Sequence, residues 1–164
     1  MILSLFTLIF FVSAAAAETK PNMTGVWELD KVKSAAVKNL PRRMTLKIQH
    51  NGTSFSVSTQ YLSSGAIQES SATYAIGGAS TGTMHGGPMT SDAAWNGETL
   101  VVKSVVKLSQ DLMLTDYLSL SADGKTLRLR EISKFGTSPE ADSTRFFDKS
   151  PDSSWDPDAF NKPA

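Results

Sequence analysis

Apolar and polar residues alternate with a period of two through much of the chain, and tight-turn dipeptides interrupt the alternation at regular intervals. From Arg43 to His50, Met44, Leu46 and Ile48 fall on one face, and Thr45, Lys47 and Gln49 on the other. That is the pattern of a half-buried strand. After Asn51-Gly52 a partner runs from Thr53 to Tyr61, with Phe55, Val57, Thr59 and Tyr61 together on one side. Glu98 to Leu108 places Leu100, Val102, Ser104, Val106 and Leu108 on one face and leaves the other only partly polar. Leu112–Ser121 and Thr126–Lys134 flank Asp123-Gly124. Asn51-Gly52, Asn96-Gly97 and Asp123-Gly124 are the strongest short-range hairpin signals, because the type I′ turn they favour has the twist of paired strands.

The remaining segments extend this pattern. Thr24–Asp30 predicts a short first strand, Ala66–Ile76 a strand rich in Ser and Thr, and Glu140–Asp148 the last strand. Lys31–Arg42 stays open between one helical turn over Ser34-Ala35-Ala36-Val37, ended by Pro41, and a loop. Gly77–Pro88 holds five glycines and reads as loop with a short edge strand around Ser80–His85. The total of eight or nine short strands joined by tight turns predicts an all-β protein, an antiparallel up-and-down β-barrel. A barrel of about eight strands has room for one small ligand.

Residues 1–17 stand apart. Ile2–Val12 is almost wholly apolar, and Ala15-Ala16-Ala17 supplies small residues before Glu18. An apolar stretch of about 7–15 residues followed by an A-x-A site is the pattern of a secretory signal peptide. It is shorter than the about 20 apolar residues of a membrane-spanning helix. The expected division is a signal peptide over 1–17, a barrel over 18–148 and a tail rich in Pro and Asp over 149–164. In that tail Trp155 and Phe160 are the residues able to pack back on the barrel. The expected location is secreted or periplasmic, with no stable membrane insertion after cleavage.

Composition narrows the function classes. The chain has no cysteine, so disulfides and thiolate metal sites are excluded and stability must come from burial. Formal net charge is zero. Seven basic side chains against three acids in residues 18–50 do not form the dense basic stripe with interleaved aromatics of a nucleic-acid site.

Gly25-Val26-Trp27, followed by hairpins, resembles the G-x-W signature of the lipocalin-like (calycin) barrels. Three patterns, Thr24–Asp30, Trp95–Val101 and Ser121–Leu127, resemble those of small exported bacterial lipocalin-like proteins. The resemblance implies that Trp27 closes one barrel end, that Gly25 belongs to the same motif, and that Arg145 near the last strand lies across the indole. An Arg over an indole face is worth about 0.5–2 kcal/mol. Pocket residues vary within such families, so the resemblance carries none over.

Alternation supplies the candidate cavity lining: Phe55, Val57, Thr59, Tyr61, Tyr74, Val102, Ser104, Val106, Asp116, Leu118 and Glu131. Asp116 shares a face with Leu114 and Leu118, and Glu131 with Leu127 and Leu129. If both faces are inward, two carboxylates line the cavity and one has a raised pKa, suited to acid–base work or to a cationic or hydroxylated ligand. If alternation breaks near the strand ends, both lie in water at the rim. Met84, His85 and Met89 could hold Cu(I) as a soft ligand set, or simply plug the barrel rim, which is the reading adopted. His50 precedes a turn and is expected in solvent. No cofactor or metal is expected. No Ser/His/Asp constellation, phosphate-binding loop or H-E-x-x-H motif occurs. The preferred reading is a non-enzymatic barrel binding a small, largely apolar molecule. The alternatives are a filled barrel acting as an interaction module, and an enzyme using Asp116 and Glu131. Oligomeric state is left open.

Overall fold

The computed structural model describes residues 20–63 and 65–156; the apolar leader and Phe160 lie outside them. Ten strands follow in order: β1 (Gly25–Leu29), β2 (Met44–His50), β3 (Ser54–Ser63), β4 (Ala66–Ala75), β5 (Gly78–Met84), β6 (Gly87–Asn96), β7 (Thr99–Val106), β8 (Leu112–Leu120), β9 (Thr126–Phe135) and β10 (Ala141–Ser150). A 3-10 turn, η1 (Asp152–Trp155), follows. All strand pairs are antiparallel, in one sheet ordered β4-β3-β2-β1-β10-β9-β8-β7-β6-β5. First and last strands pair directly, Val26 against Ser150 through Leu29 against Phe147.

The barrel is nearly closed. Its seam lies between β4 and β5, the two ends of the sheet order. The seam is stitched at one end, where Gly77 N–H donates to Ala93 O (2.7 Å) and Ala75 N–H to Ser80 Oγ (2.7 Å). Beyond that point no ladder joins β4 to β5 among the described residues.

The ten strands slightly exceed the eight or nine expected. The region expected as loop with a short edge strand around Ser80–His85 is β5 and the start of β6, a full hairpin with Gly78 opposite Ala93 and Met84 opposite Gly87. Its turn is His85-Gly86, with φ of +50° and +79°. Positive φ at both central residues is the type I′ signature. The three hairpins with Asn-Gly or Asp-Gly form where expected but by another route. Gly52, Gly97 and Gly124 carry positive φ, whereas Asn51, Asn96 and Asp123 do not, so none of the three is a type I′ turn. Two of these side chains hold their loops instead. Asn51 Oδ1 accepts from Ser54 N–H (2.9 Å), and Asp123 Oδ1 from Lys125 N–H (3.0 Å).

The open question over Lys31–Arg42 resolves to turns without a helix. Asp30 Oδ1 accepts from the backbone N–H groups of Val32 and Lys33 (2.9 and 3.0 Å), and buried Ser34 accepts from Phe146 N–H through its Oγ (2.9 Å). The segment is thereby fastened to β10. The last strand runs to Ser150, two residues into the expected tail, and Trp155 lies half-buried with Lys47 Nζ 6.0 Å from its ring centre.

The core is concentrated at one end. Met23, Trp27, Ile48, Phe55, Leu100, Leu127 and Phe147 are almost fully buried there. All lie near the strand ends on the stitched side of the seam, where β1 starts and β10 finishes. Trp27 Nε1–H donates to Met23 O (3.0 Å), so the segment before β1 caps the indole from below.

Candidate functional site

The opposite half of the barrel is hollow. A cavity of about 770 Å³ is lined by Met44, Leu46, Phe55, Val57 and Thr59 from β2 and β3, by Ala72 and Tyr74 from β4, and by Leu114, Asp116, Leu118, Leu129, Glu131 and Arg145 from β8 to β10. That volume falls within the roughly 300–1,000 Å³ of small-molecule sites. Glu69, Ser70 and Ser71 on β4 and Thr83, Met84 and His85 at the end of β5 also line it. These two groups face each other across the unstitched seam, so the cavity reaches the barrel wall where the sheet is open.

Strand register assembles the polar part of the lining. Asp116 and Glu131 are directly opposite on β8 and β9, and Glu131 faces Ser143 on β10. Arg145 is two residues on, on the same face, and its Nη2–H donates to Glu131 Oε2 at 2.6 Å. Asp116 Oδ1 is sealed from solvent and has no hydrogen-bond partner, as is Arg145 Nε. Burial, then the charge of Glu131, push the Asp116 carboxyl from its ordinary 3.8 up to about 7, with Arg145 opposing. Across the cavity, burial and then the charge of Asp116 push the Tyr74 phenol up to about 12. Tyr74 therefore keeps its proton at neutral pH. Its ring stacks near Phe55, with centroids 6.4 Å apart.

Solved structures share this architecture. The chain is similar to the REP1-NXSQ fatty acid transporter (TM-score 0.52, 19% identity, covering 78% of this chain and 96% of that one). It is also similar to zebrafish ileal bile acid-binding protein complexed with cholic acid (TM-score 0.52, 15% identity, 78% and 98% covered). The apo form of Caenorhabditis elegans lipid binding protein 8 matches with a TM-score of 0.55 at 12% identity, covering 78% and 95%. No protein-family model and no curated protein sequence matches the chain. The fold is a calycin-like β-barrel. Identities this low establish the architecture and nothing finer.

Within that calycin-like barrel the candidate lining residues divide into two groups. Phe55, Val57, Thr59, Tyr74, Val102, Asp116, Leu118 and Glu131 all line the cavity. Tyr61, Ser104 and Val106 do not. Ser104 is buried and shares a hydrogen bond with buried Ser91 (2.8 Å), and Val106 is fully buried beside Met89, its partner across the strands. Small polar residues at Ser91 and Ser104 satisfy each other, so that stretch of wall needs no ligand or water. Tyr61 packs against the edge of the core near the end of β3.

The barrel end differs from what the resemblance implied. Trp27 is buried as expected, but Arg145 does not lie across it. Arg145 faces the cavity and pairs with Glu131. The cation over the indole is Lys149, its Nζ 5.5 Å from the ring centre, because Lys149 is the register partner of Trp27. Gly25 makes room for it: a Cβ there would come within 3.3 Å of Lys149 Cε, and its φ of +144° suits glycine. His50 also departs from expectation. It is half-buried between Phe55 and Trp95, with ring centroids 6.4 and 5.6 Å away, and burial lowers its pKa.

Sequence reading missed Arg145 as a cavity residue, and Met44, Leu46, Leu112, Leu114, Leu129 and Ser133 beside it. Alternation already placed Met44, Leu46, Leu114 and Leu129 on the inward faces. What it lacked was which end of the barrel is packed. Arg145 carried a competing signal, the indole, at the wrong end of its strand.

Proposed function

We propose that this chain is an exported carrier or binding protein that takes one small, largely apolar molecule into the hollow half of its barrel. The supporting observation is the cavity of about 770 Å³, walled mainly by aliphatic and aromatic side chains and reaching the open seam between β4 and β5. Asp116, Glu131 and Arg145 on the β8–β10 wall would fix orientation, the usual role of placed polar groups in small-molecule sites. The similar structures include a fatty acid transporter and a bile acid-binding protein, which is consistent with such a role. Export rests on the apolar leader and the Ala15-Ala16-Ala17 site, and kinship with small exported bacterial barrels on the three sequence patterns. No chemistry is assigned to the cavity carboxylates.

Titration with an apolar fluorescent probe tests the binding reading. The expected outcome is saturable binding with micromolar affinity, on the order of 8 kcal/mol, lost when the cavity is filled. Native mass spectrometry of protein from its source should find a co-purified small molecule. Absence of any binding would leave the interaction-module reading in its place. N-terminal sequencing of the exported protein should begin at Glu18; a start at Met1 would overturn cleavage.

A further inference from the structure

We propose that the cavity selects a cationic amphiphile, an apolar chain or ring system bearing a protonated amine, with Asp116 as the acceptor of its N–H groups. This rests on the reading of the cavity as a ligand site. It concerns only the charge of the head group.

Three observations carry it. Asp116 Oδ1 is shielded from solvent and receives no hydrogen bond. A carboxylate so placed lacks partners it needs, and an unmade hydrogen bond to a buried acceptor is costly. An ammonium donor supplies both the bond and the opposite charge. Second, the charges lining the cavity are unbalanced. Asp116 and Glu131 stand against one guanidinium, that of Arg145, while Glu69 at the seam is exposed and accepts from Gln60 Nε2 (2.6 Å). Third, that guanidinium is engaged: Arg145 Nη2–H is 2.6 Å from Glu131 Oε2. An anionic head group could recruit Arg145 only by releasing Glu131, leaving two neighbouring carboxylates without a counter-charge. The remaining Arg145 Nε–H is a lone donor, suited to a hydroxyl or carbonyl oxygen beside the amine.

The groups facing Asp116 make the preference depend on pH. Glu131 lies across from it on β9, Arg145 on β10 and Tyr74 on β4, while β7 presents Val102, which does not titrate. Tyr74 keeps its proton, and Asp116 is the carboxyl that burial moves up to about 7. Burial holds it protonated in acid, where it cannot act as a full counter-charge.

Competition against an apolar fluorescent probe by dodecylamine, dodecanol and dodecanoate, equal in chain length, tests the proposal. At about pH 8.5 the amine should displace the probe at roughly tenfold lower concentration than the alcohol, a coupling of about one pKa unit, with dodecanoate weakest. At about pH 5.5 the amine's advantage should shrink toward parity, since alkylammonium does not titrate in that range. Asp116→Asn should bring the amine-to-alcohol ratio to about one at both pH values. The pH series on the unaltered protein reads the same effect without depending on a variant's folding. Dodecanoate binding as tightly as the amine, or a ratio insensitive to both pH and Asp116→Asn, would overturn the proposal and leave ligand binding standing. If neither the probe nor any of the three compounds binds, ligand binding itself fails and the proposal falls with it.

Discussion

At the residue scale, two inward-facing side chains set the stability of the barrel in opposite ways. Trp27 is buried, donates to Met23 O at 3.0 Å and lies under Lys149. Trp27→Ala should therefore cost about 3–5 kcal/mol in urea unfolding, as expected for a buried aromatic. Asp116 weakens the fold as it ionises. Its folded pKa is about 7 against an ordinary 3.8. A pKa raised on folding contributes stability that is complete below about pH 4 and is lost as pH rises through about 7. Urea midpoints should thus fall between about pH 4 and pH 8, by on the order of 2 kcal/mol after allowance for partial exposure. Asp116→Asn should remove that slope and leave the variant more stable than the unaltered protein at the alkaline end. An unchanged slope would place the titration elsewhere.

At the element scale, the β5–β6 hairpin is where local sequence and tertiary demand meet least obviously. His85 and Gly86 both sit at positive φ, a conformation that asparagine tolerates better than histidine. His85→Asn should raise stability by a few tenths of a kcal/mol, and Gly86→Ala should lower it by about 1 kcal/mol. Gly87 answers to a different constraint. A Cβ there would collide with Lys107 O and come within 2.7 Å of Leu108 Cδ2. The obstruction includes backbone, so Gly87→Ala should cost more than Gly86→Ala, about 2 kcal/mol or more. Thermal melts of the two glycine variants check the order. The sequence showed a short edge strand here but not the hairpin, because its turn dipeptide is His-Gly and its strand GASTGTM lacks the apolar alternation of the other strands. Its pairing is imposed by β6, whose inward Gly87, Met89, Ser91 and Ala93 are buried in strict alternation.

At the scale of the whole molecule, the barrel is filled at one end and hollow at the other. Thr59 lines the cavity, whereas Ser104 is bonded to Ser91 within a packed wall. Equal substitutions should therefore have unequal effects. Thr59→Phe should occupy the cavity, weaken probe binding by about tenfold or more and leave the fold intact. Ser104→Phe should force a large ring into a close-packed site, orphan the Ser91 hydroxyl and destabilise the protein by about 3 kcal/mol or more. Paired probe titrations and urea melts separate the two, and similar losses of stability would show that Thr59 is packed as tightly as Ser104.

Local pattern alone determined that the chain is all-β and antiparallel, where most strands lie, and which face of each turns inward. Met44, Leu46, Val57 and Val102 could be assigned to the interior because strand side chains alternate whatever the partner strand, whereas Asp116 and Glu131 stayed open between the cavity and the rim. Turn dipeptides marked three hairpins even though their backbone conformations differ from the preferred one. What only the tertiary structure decided depends on register and on the shape of the closed sheet. The period-two signal says that Ser104 and Thr59 face in; it cannot say that one meets Ser91 while the other meets empty space. The same holds for Trp27. An indole attracts a cation, but Lys149 stands opposite it in the β1–β10 register while Arg145 stands four residues back, beside Glu131. A shift of four residues along a strand is about 13 Å, enough to carry a side chain from beside the indole to the cavity.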